Sequence, residues 1–243
     1  MLIYEARARE GLNGKECWGK FSVSQKKLRV KGILFDLDGT IVDSKEAYLD
    51  AARTAFKAMG QELPETRVAL EIPKRLEQGL PISDLVGSDT RSFLNVYLKT
   101  YYMVTKTKTK PLPNVQSTMD ILARKARLAL ITMRFVKKIA VIEELEQFGL
   151  ARYFAYVVTA LDTHKPKPSP EALIKSVKAL DVDMCDCIIV GDSVTDVRAG
   201  KSAGAMTVAV LSGLFSREEL ANENPDLILR DVTELPAFLD YMG

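Results

Sequence analysis

Two hydrophobic rhythms alternate along this chain. Short runs are apolar at nearly every position: VKGILF (Val30–Phe35), LALIT (Leu128–Thr132), Phe154–Val158, Cys187–Val190 and Met206–Val210. Such runs predict strands buried on both faces. Between them, apolar residues return at helical spacing over 116–126, 136–147, 170–180 and 195–203. Gly149 closes the second of these helices. Ser169 and Pro170 open the third, with serine as the cap and proline at the first helical position. The tail PDLILRDVTELPAFL adds a short strand and a terminal helix. Strands separated by helices of this length predict an α/β fold with a mostly parallel sheet covered on both faces.

One region breaks the alternation. After Val30–Phe35, the segment AYLDAARTAFKAMG sets Ala47, Ala51, Ala55 and Phe56 on one helical face, and Gly60 stops it. Residues 61–102 remain helical in pattern, but Pro64, Pro73 and Pro81 predict short pieces. The polar run TKTKTKPLPN, from Thr105 to Asn114, reads as a linker. The core is therefore expected to be discontinuous, made of residues 31–44 and 111–243, with an α-helical cap of residues 45–110 inserted after the first core strand. An insertion there leaves from the carboxyl end of the strand, where ligands bind in open α/β sheets, so it is placed to act as a lid. Residues 1–30 form an N-terminal extension. In it Asn13–Gly14 signals a hairpin turn and Trp18 is a candidate anchor; the other reading is a mobile basic leader.

Composition narrows the function classes. With 47% hydrophobic and 27% charged residues among 243, the chain can bury a full core. No run approaches eighteen apolar residues, so no membrane-spanning helix is expected. MLIYEARARE sets Glu5, Arg7, Arg9 and Glu10 where a secretory signal needs apolar residues, which points to a cytoplasmic protein. Three cysteines do not make a disulfide framework, and the single histidine, His164, excludes multi-histidine metal sites. Cys185 and Cys187, alternating with Asp186, read as buried thiols beside a solvent-facing acid. His164 reads as an exposed loop residue. Charge is segregated: residues 99–138 carry ten basic side chains and one acidic, while the rest of the chain beyond residue 31 is acidic overall. That stretch suits an anionic partner or substrate, or simply a solvated basic surface.

The candidate chemistry lies at strand ends. Asp36 and Asp38 follow the first apolar run directly, and two carboxylates so close repel unless a cation or a shared proton compensates. Asp192 and Asp196, in GDSVTDVRAG, follow another such run. Four carboxylates at strand ends make a hard, oxygen-rich site suited to Mg²⁺. Thr132 ends LALIT and can donate a hydroxyl. Lys165, in the proline-stiffened HKPKPSP, can present an ammonium as a point charge to a phosphate.

FDLDGTIVDS resembles the first motif of the haloacid dehalogenase-like (HAD) hydrolases. Thr132, Lys165 and GDSVTDVRAG resemble the second, third and fourth motifs, in the family's order and over about residues 31–235. The resemblance is closest to the phosphoglycolate phosphatase-like branch with a small helical cap. It implies a doubly wound Rossmann-like core, with Asp36 as nucleophile forming an aspartyl-phosphate and Asp38 as general acid and base. It also implies Mg²⁺ on an Asp36 carboxylate oxygen, the Asp38 main-chain carbonyl and Asp192, with Asp196 completing the shell. Thr132 and Lys165 would hold the phosphoryl oxygens. Family members that cleave carbon–halogen or carbon–phosphorus bonds lack an aspartate at the position of Asp38, so its presence implies a phosphate monoester or phosphoanhydride.

The expectation is thus a Mg²⁺-dependent phosphatase acting on a small anionic phosphorylated metabolite. Phosphoglycolate-like substrates are candidates, although Met133 stands where the family often carries asparagine or serine. Arg134, Lys74 and Arg75 are candidate substrate contacts. A monomer or homodimer is expected, with no membrane or nucleic-acid partner. The alternatives are a phosphosugar mutase of the same superfamily and a non-catalytic phosphate- or nucleic-acid-binding protein.

Overall fold

The computed structural model describes residues 28–240 in full, and ahead of them only the backbone of four two-residue strands. Of these, Glu5–Ala6 pairs antiparallel with Phe21–Ser22, and Arg9–Glu10 with Glu16–Cys17. The Asn13–Gly14 turn and Trp18 lie outside the described residues. Two compact units are present. One runs to Ile41 and resumes at Pro111; the other is Val42–Lys110.

The first unit is built on six parallel strands: β1 (Gly32–Phe35), β2 (Arg127–Ile131), β3 (Phe154–Val158), β4 (Cys187–Gly191), β5 (Met206–Val210) and β6 (Leu227–Leu229). Their order across the sheet is β6-β5-β4-β1-β2-β3. The chain builds outward from β1 in one direction through β2 and β3, then returns to β1's other side with β4. That reversal makes the crevice between β1 and β4, at their carboxyl ends, the topological switch point of the sheet. Here the sheet needs apolar residues on both faces, and the strand interiors supply them: Ile33, Leu34, Leu130, Ile188 and Val190 are fully buried or nearly so.

Helices complete the α/β layers. On α7 (Glu171–Leu180), Ala172, Leu173, Ser176, Val177 and Leu180 form one buried stripe. Together with Ala199 and Ala203 of α8 (Val194–Ala203) they pack on Leu34, Ala129, Ile131 and Ile189 of the sheet. Helix α7 starts one residue later than the sequence pattern places it: Pro170 takes the cap position, and Ser169 Oγ accepts a hydrogen bond from Glu171 N at 3.3 Å. The first predicted helix is α5 (Val115–Leu122), and the second begins at Lys138, as α6 (Lys138–Gln147). The terminal helix is a 3₁₀ segment, Val232–Phe238. Cys187 is a buried thiol whose pKa burial pushes up to about 12. Cys185 differs from the buried thiol expected of it, being half-buried and disulfide-bonded.

The second unit is helical: α1 (Lys45–Ala58), α2 (Thr66–Glu77), α3 (Ser83–Val86) and α4 (Thr90–Lys108). The small residues Ala47, Ala51, Ala52 and Ala55 of α1 leave room for Phe93, Tyr97 and Tyr101 of α4 in one core. Tyr48 stacks on Tyr101 at 4.8 Å, and Phe56 meets Phe93 edge-on at 4.9 Å. Two expectations fail in this unit. Pro73 does not divide the chain but lies buried inside α2. The run read as a linker from Thr105 is helical as far as Lys108, because Thr105 is itself a buried position on the inner face of α4.

Candidate active site

Strand register sets the site. Phe35 of β1 is level with Val190 of β4 and with Leu130 of β2. Asp36 is one residue past that line, while Asp192 and Thr132 are two past it. All three therefore emerge at the carboxyl edge, around the switch point. The Asp36 amide donates to Val190 O at 2.9 Å and the Thr132 amide to Val158 O at 2.9 Å, so both backbones are held by the sheet's own ladder.

Carboxylate oxygens of Asp36, Asp192 and Asp196 lie within 4.8 Å of one another, and all three residues are buried. Ser193 caps α8 reciprocally with Asp196: Ser193 N and Oγ both donate to Asp196 Oδ2, at 3.2 and 2.8 Å. Asp192 accepts from Thr40 Oγ1 at 3.3 Å and from Leu214 N at 3.4 Å. Close approach is possible because glycines flank this carboxylate. A Cβ on Gly213 would lie 1.6 Å from Asp192 Oδ2, and one on Gly39, whose φ is +81°, would lie 2.5 Å from it.

Lys167 supplies the cation of the site. Its Nζ donates to Asp36 Oδ1 at 2.6 Å and to Asp196 Oδ1 at 2.5 Å, with only 1% of the side chain exposed. This corrects the sequence assignment of Lys165. That residue is exposed and takes part through its backbone, Lys165 N donating to Glu171 Oε2 at 3.0 Å beside His164 N on the same carboxylate. Glu171 thus holds the first half of the HKPKPSP loop. A turn closed by Ser169 N on Pro166 O at 3.0 Å then puts Lys167 at its second position, turned into the site. Both lysines precede prolines, so local pattern does not separate them; the available signal was that Lys167 is nearer the start of α7.

Among the described residues, the cluster sets three buried carboxylates against one ammonium, an excess of two negative charges. An all-oxygen donor set with that charge fits a hard divalent cation such as Mg²⁺.

Asp38 faces a different partner. Arg134 donates from Nε to Asp38 Oδ2 at 2.8 Å and from Nη2 to Asp38 Oδ1 at 2.6 Å, while Nη1 donates to Glu144 Oε2. Arg134 and Glu144 are buried, so the guanidinium expected at a substrate tail is engaged by two protein carboxylates. Sequence reasoning missed Glu144. The signal was an acid between Val141 and Leu145, on the buried face of α6. Thr132 is buried, and its Oγ1 accepts from Arg134 N at 3.2 Å, which leaves the hydroxyl proton able to donate.

The remaining candidates sit in the helical unit. Arg75 donates from Nη1 to Asp84 at 2.6 and 2.8 Å and to Pro81 O at 3.2 Å, so it ties the loop after α2. Lys74 Nζ pairs with Glu71 at 3.5 Å. Several cations of the basic stretch 99–138 have protein partners of their own. Lys108 pairs with Asp50 at 3.3 Å, Lys125 donates to Leu239 O at 2.7 Å, Arg127 donates to Leu180 O, and Arg134 lies buried with its two acids. No helix among the described residues is long and apolar enough to cross a membrane.

Comparison with known proteins agrees with this geometry. Residues 33–210 match the family model described as haloacid dehalogenase-like hydrolase. The phosphoglycolate phosphatase of Vibrio parahaemolyticus is 30% identical over 217 residues, covering 85% of this chain and 94% of that protein. The pyrophosphatase PpaX of Halalkalibacterium halodurans is 27% identical over 221 residues, covering 89% and 98%. Among solved structures, a haloacid dehalogenase-like family hydrolase from Streptococcus pneumoniae superposes with a TM-score of 0.74 at 19% identity, over 86% of this chain and 98% of its own.

Proposed function

Because the chain belongs to the haloacid dehalogenase-like hydrolases, in their phosphoglycolate phosphatase-like branch, we propose that it is a Mg²⁺-dependent phosphatase of small anionic phosphate esters working through Asp36. The observation that carries this reading is Asp36 at the centre of the site: its carboxylate shares one buried cluster with Asp192 and Asp196 and touches Lys167 at 2.6 Å.

A free carboxylate repels an incoming phosphate and is a poor nucleophile. Lys167 offsets that repulsion and gives the phosphoryl oxygens a fixed cation, and Thr132 adds a hydroxyl donor. Mg²⁺ would be held by Asp36, Asp192 and Asp196 with the Asp38 carbonyl, and would supply charge neutralisation at the phosphoryl group. One Asp36 oxygen then forms a bond to phosphorus as the ester P–O bond breaks. The departing alkoxide takes a proton from the Asp38 carboxylic acid. In the second half, water attacks the aspartyl-phosphate and gives its proton to Asp38, which restores the acid and releases phosphate and Asp36.

The relatives named as phosphoglycolate phosphatase and pyrophosphatase, with Lys167 and Thr132 as the donors to a phosphoryl group, support a compact phosphate monoester or anhydride carrying a further negative charge as the substrate class. Phosphate release from a panel of such compounds, with Mg²⁺ and with EDTA, tests the reading. Turnover is expected only with the metal, and Asp36→Asn is expected to abolish it. Full turnover by Asp36→Asn, or none by the wild type across the panel, would overturn the proposal.

A further inference from the structure

We propose that Arg134 is a positioning residue that fixes the direction of the Asp38 carboxylate, and that Glu144 on α6 is its anchor. The inference rests on the proposed function in one respect, the role of Asp38 as acid and base.

Asp38 needs an external constraint. It lies on a turn, is followed by Gly39 at φ +81°, and its side chain is 14% exposed. In both halves of the reaction its carboxyl must meet an oxygen at the same place, first on the leaving alcohol and then on water. Arg134 supplies the constraint. Its Nε and Nη2 form a fork on the two Asp38 oxygens, at 2.8 and 2.6 Å, which sets the plane of the carboxylate as well as its position.

Arg134 is itself held at three points. Its amide donates to Thr132 Oγ1 at 3.2 Å, and its carbonyl accepts from Ala160 N at 3.2 Å, so the end of β2 and the segment after β3 grip its backbone. Its Nη1 donates to Glu144 Oε2, buried on the same helix face as Val141 and Leu145. Lysine could not replace this arrangement, because a point charge cannot serve one carboxylate as a fork and a second from the opposite side. Glu144 in turn has a clear reason to be buried on an otherwise apolar face: it stops the guanidinium from pivoting.

The clamp predicts a selective kinetic defect. An alkyl phosphate such as 2-phosphoglycolate needs a proton delivered to its leaving oxygen, whereas p-nitrophenyl phosphate releases a stable phenolate without one. Alcohol or phenol release in the first turnover would be measured for wild type, Arg134→Met, Arg134→Lys and Glu144→Gln, with circular dichroism and thermal unfolding as controls for the fold. Arg134→Met is expected to slow release from 2-phosphoglycolate about 100-fold, as for loss of a placed general acid, and release from p-nitrophenyl phosphate by less than about tenfold. Arg134→Lys should restore only part of the loss. Glu144→Gln should show the same selectivity with a smaller amplitude, and it keeps the test decisive if Arg134→Met does not fold. Equal slowing of both esters in the folded variants, or no slowing, would overturn the clamp while leaving the phosphatase reading intact. Failure of the wild type on both esters would instead overturn the function on which the inference rests.

Discussion

Replacing Lys167 with methionine isolates the electrostatics of the site. The ammonium is 1% exposed and touches Asp36 and Asp196 at 2.6 and 2.5 Å, and Asp192 shares the same cluster. Removing it takes the shared cation from Asp36 and Asp196, and breaking a buried ion pair from one side costs about 3–5 kcal/mol. At about 2–4 °C per kcal/mol for a chain of this size, the melting temperature in EDTA should fall by about 6–20 °C. Lys165→Met is the internal control: it alters an exposed side chain, so a change within about 0.5 kcal/mol is expected. The excess negative charge rises from two to three in Lys167→Met, so millimolar Mg²⁺ should raise its melting temperature more than that of the wild type. Occupancy at 100 times the dissociation constant supplies about 2.7 kcal/mol. Differential scanning fluorimetry with EDTA and with a Mg²⁺ titration reads all three quantities. A Lys167→Met melting temperature within about 2 °C of wild type in EDTA, or a larger fall for Lys165→Met, would refute the charge assignment.

Two further outcomes test other parts of the chain. Tyr97 is buried in the helical unit, its hydroxyl has no hydrogen-bond partner among the described residues, and burial pushes its pKa up. Tyr97→Phe keeps the stack on Phe93 and should stabilise the protein by about 1 kcal/mol in urea unfolding, whereas a loss of that size would mean the hydroxyl has a partner. The Lys175 side chain, with the amides of His164 and Lys165, holds the Glu171 carboxyl down at about 2, below its ordinary 4.5. Because the folded value is depressed, its stabilisation is present above pH 4.5 and is lost as pH falls through 2. Wild type should therefore exceed Glu171→Gln in urea midpoint at pH 7, with the gap narrowing steadily below pH 4.5. A gap that stays constant down to pH 3 would show that the carboxylate charge is not what holds the loop.

Short-range pattern was enough for the parallel α/β core and the helical insertion. Strands that are apolar on every position must be covered on both faces, and the acids that end them must emerge at one edge if the strands are parallel. For that reason Asp36, Asp192 and Thr132 are legible in the sequence as strand-end residues. Pattern was a weaker guide where one residue's environment depends on distant chain. Pro73 reads as a breaker yet is buried within α2, and the Thr105 run reads as solvated although Thr105 is a buried position of α4.

Tertiary structure alone decided the cations. HKPKPSP offers two equivalent lysines to local reasoning. The choice of Lys167 depends on Glu171 binding the amides of His164 and Lys165, and on two carboxylates, from the end of β1 and the start of α8, converging on the Lys167 ammonium. Arg134 likewise reads as a solvated arginine or a substrate contact until Asp38, 96 positions away, and Glu144 close on it from two sides. Carboxylate positions are local because a strand end sets them. The partner of a buried charge is not local, since the low-dielectric interior demands compensation by whichever opposite charge the fold brings within reach.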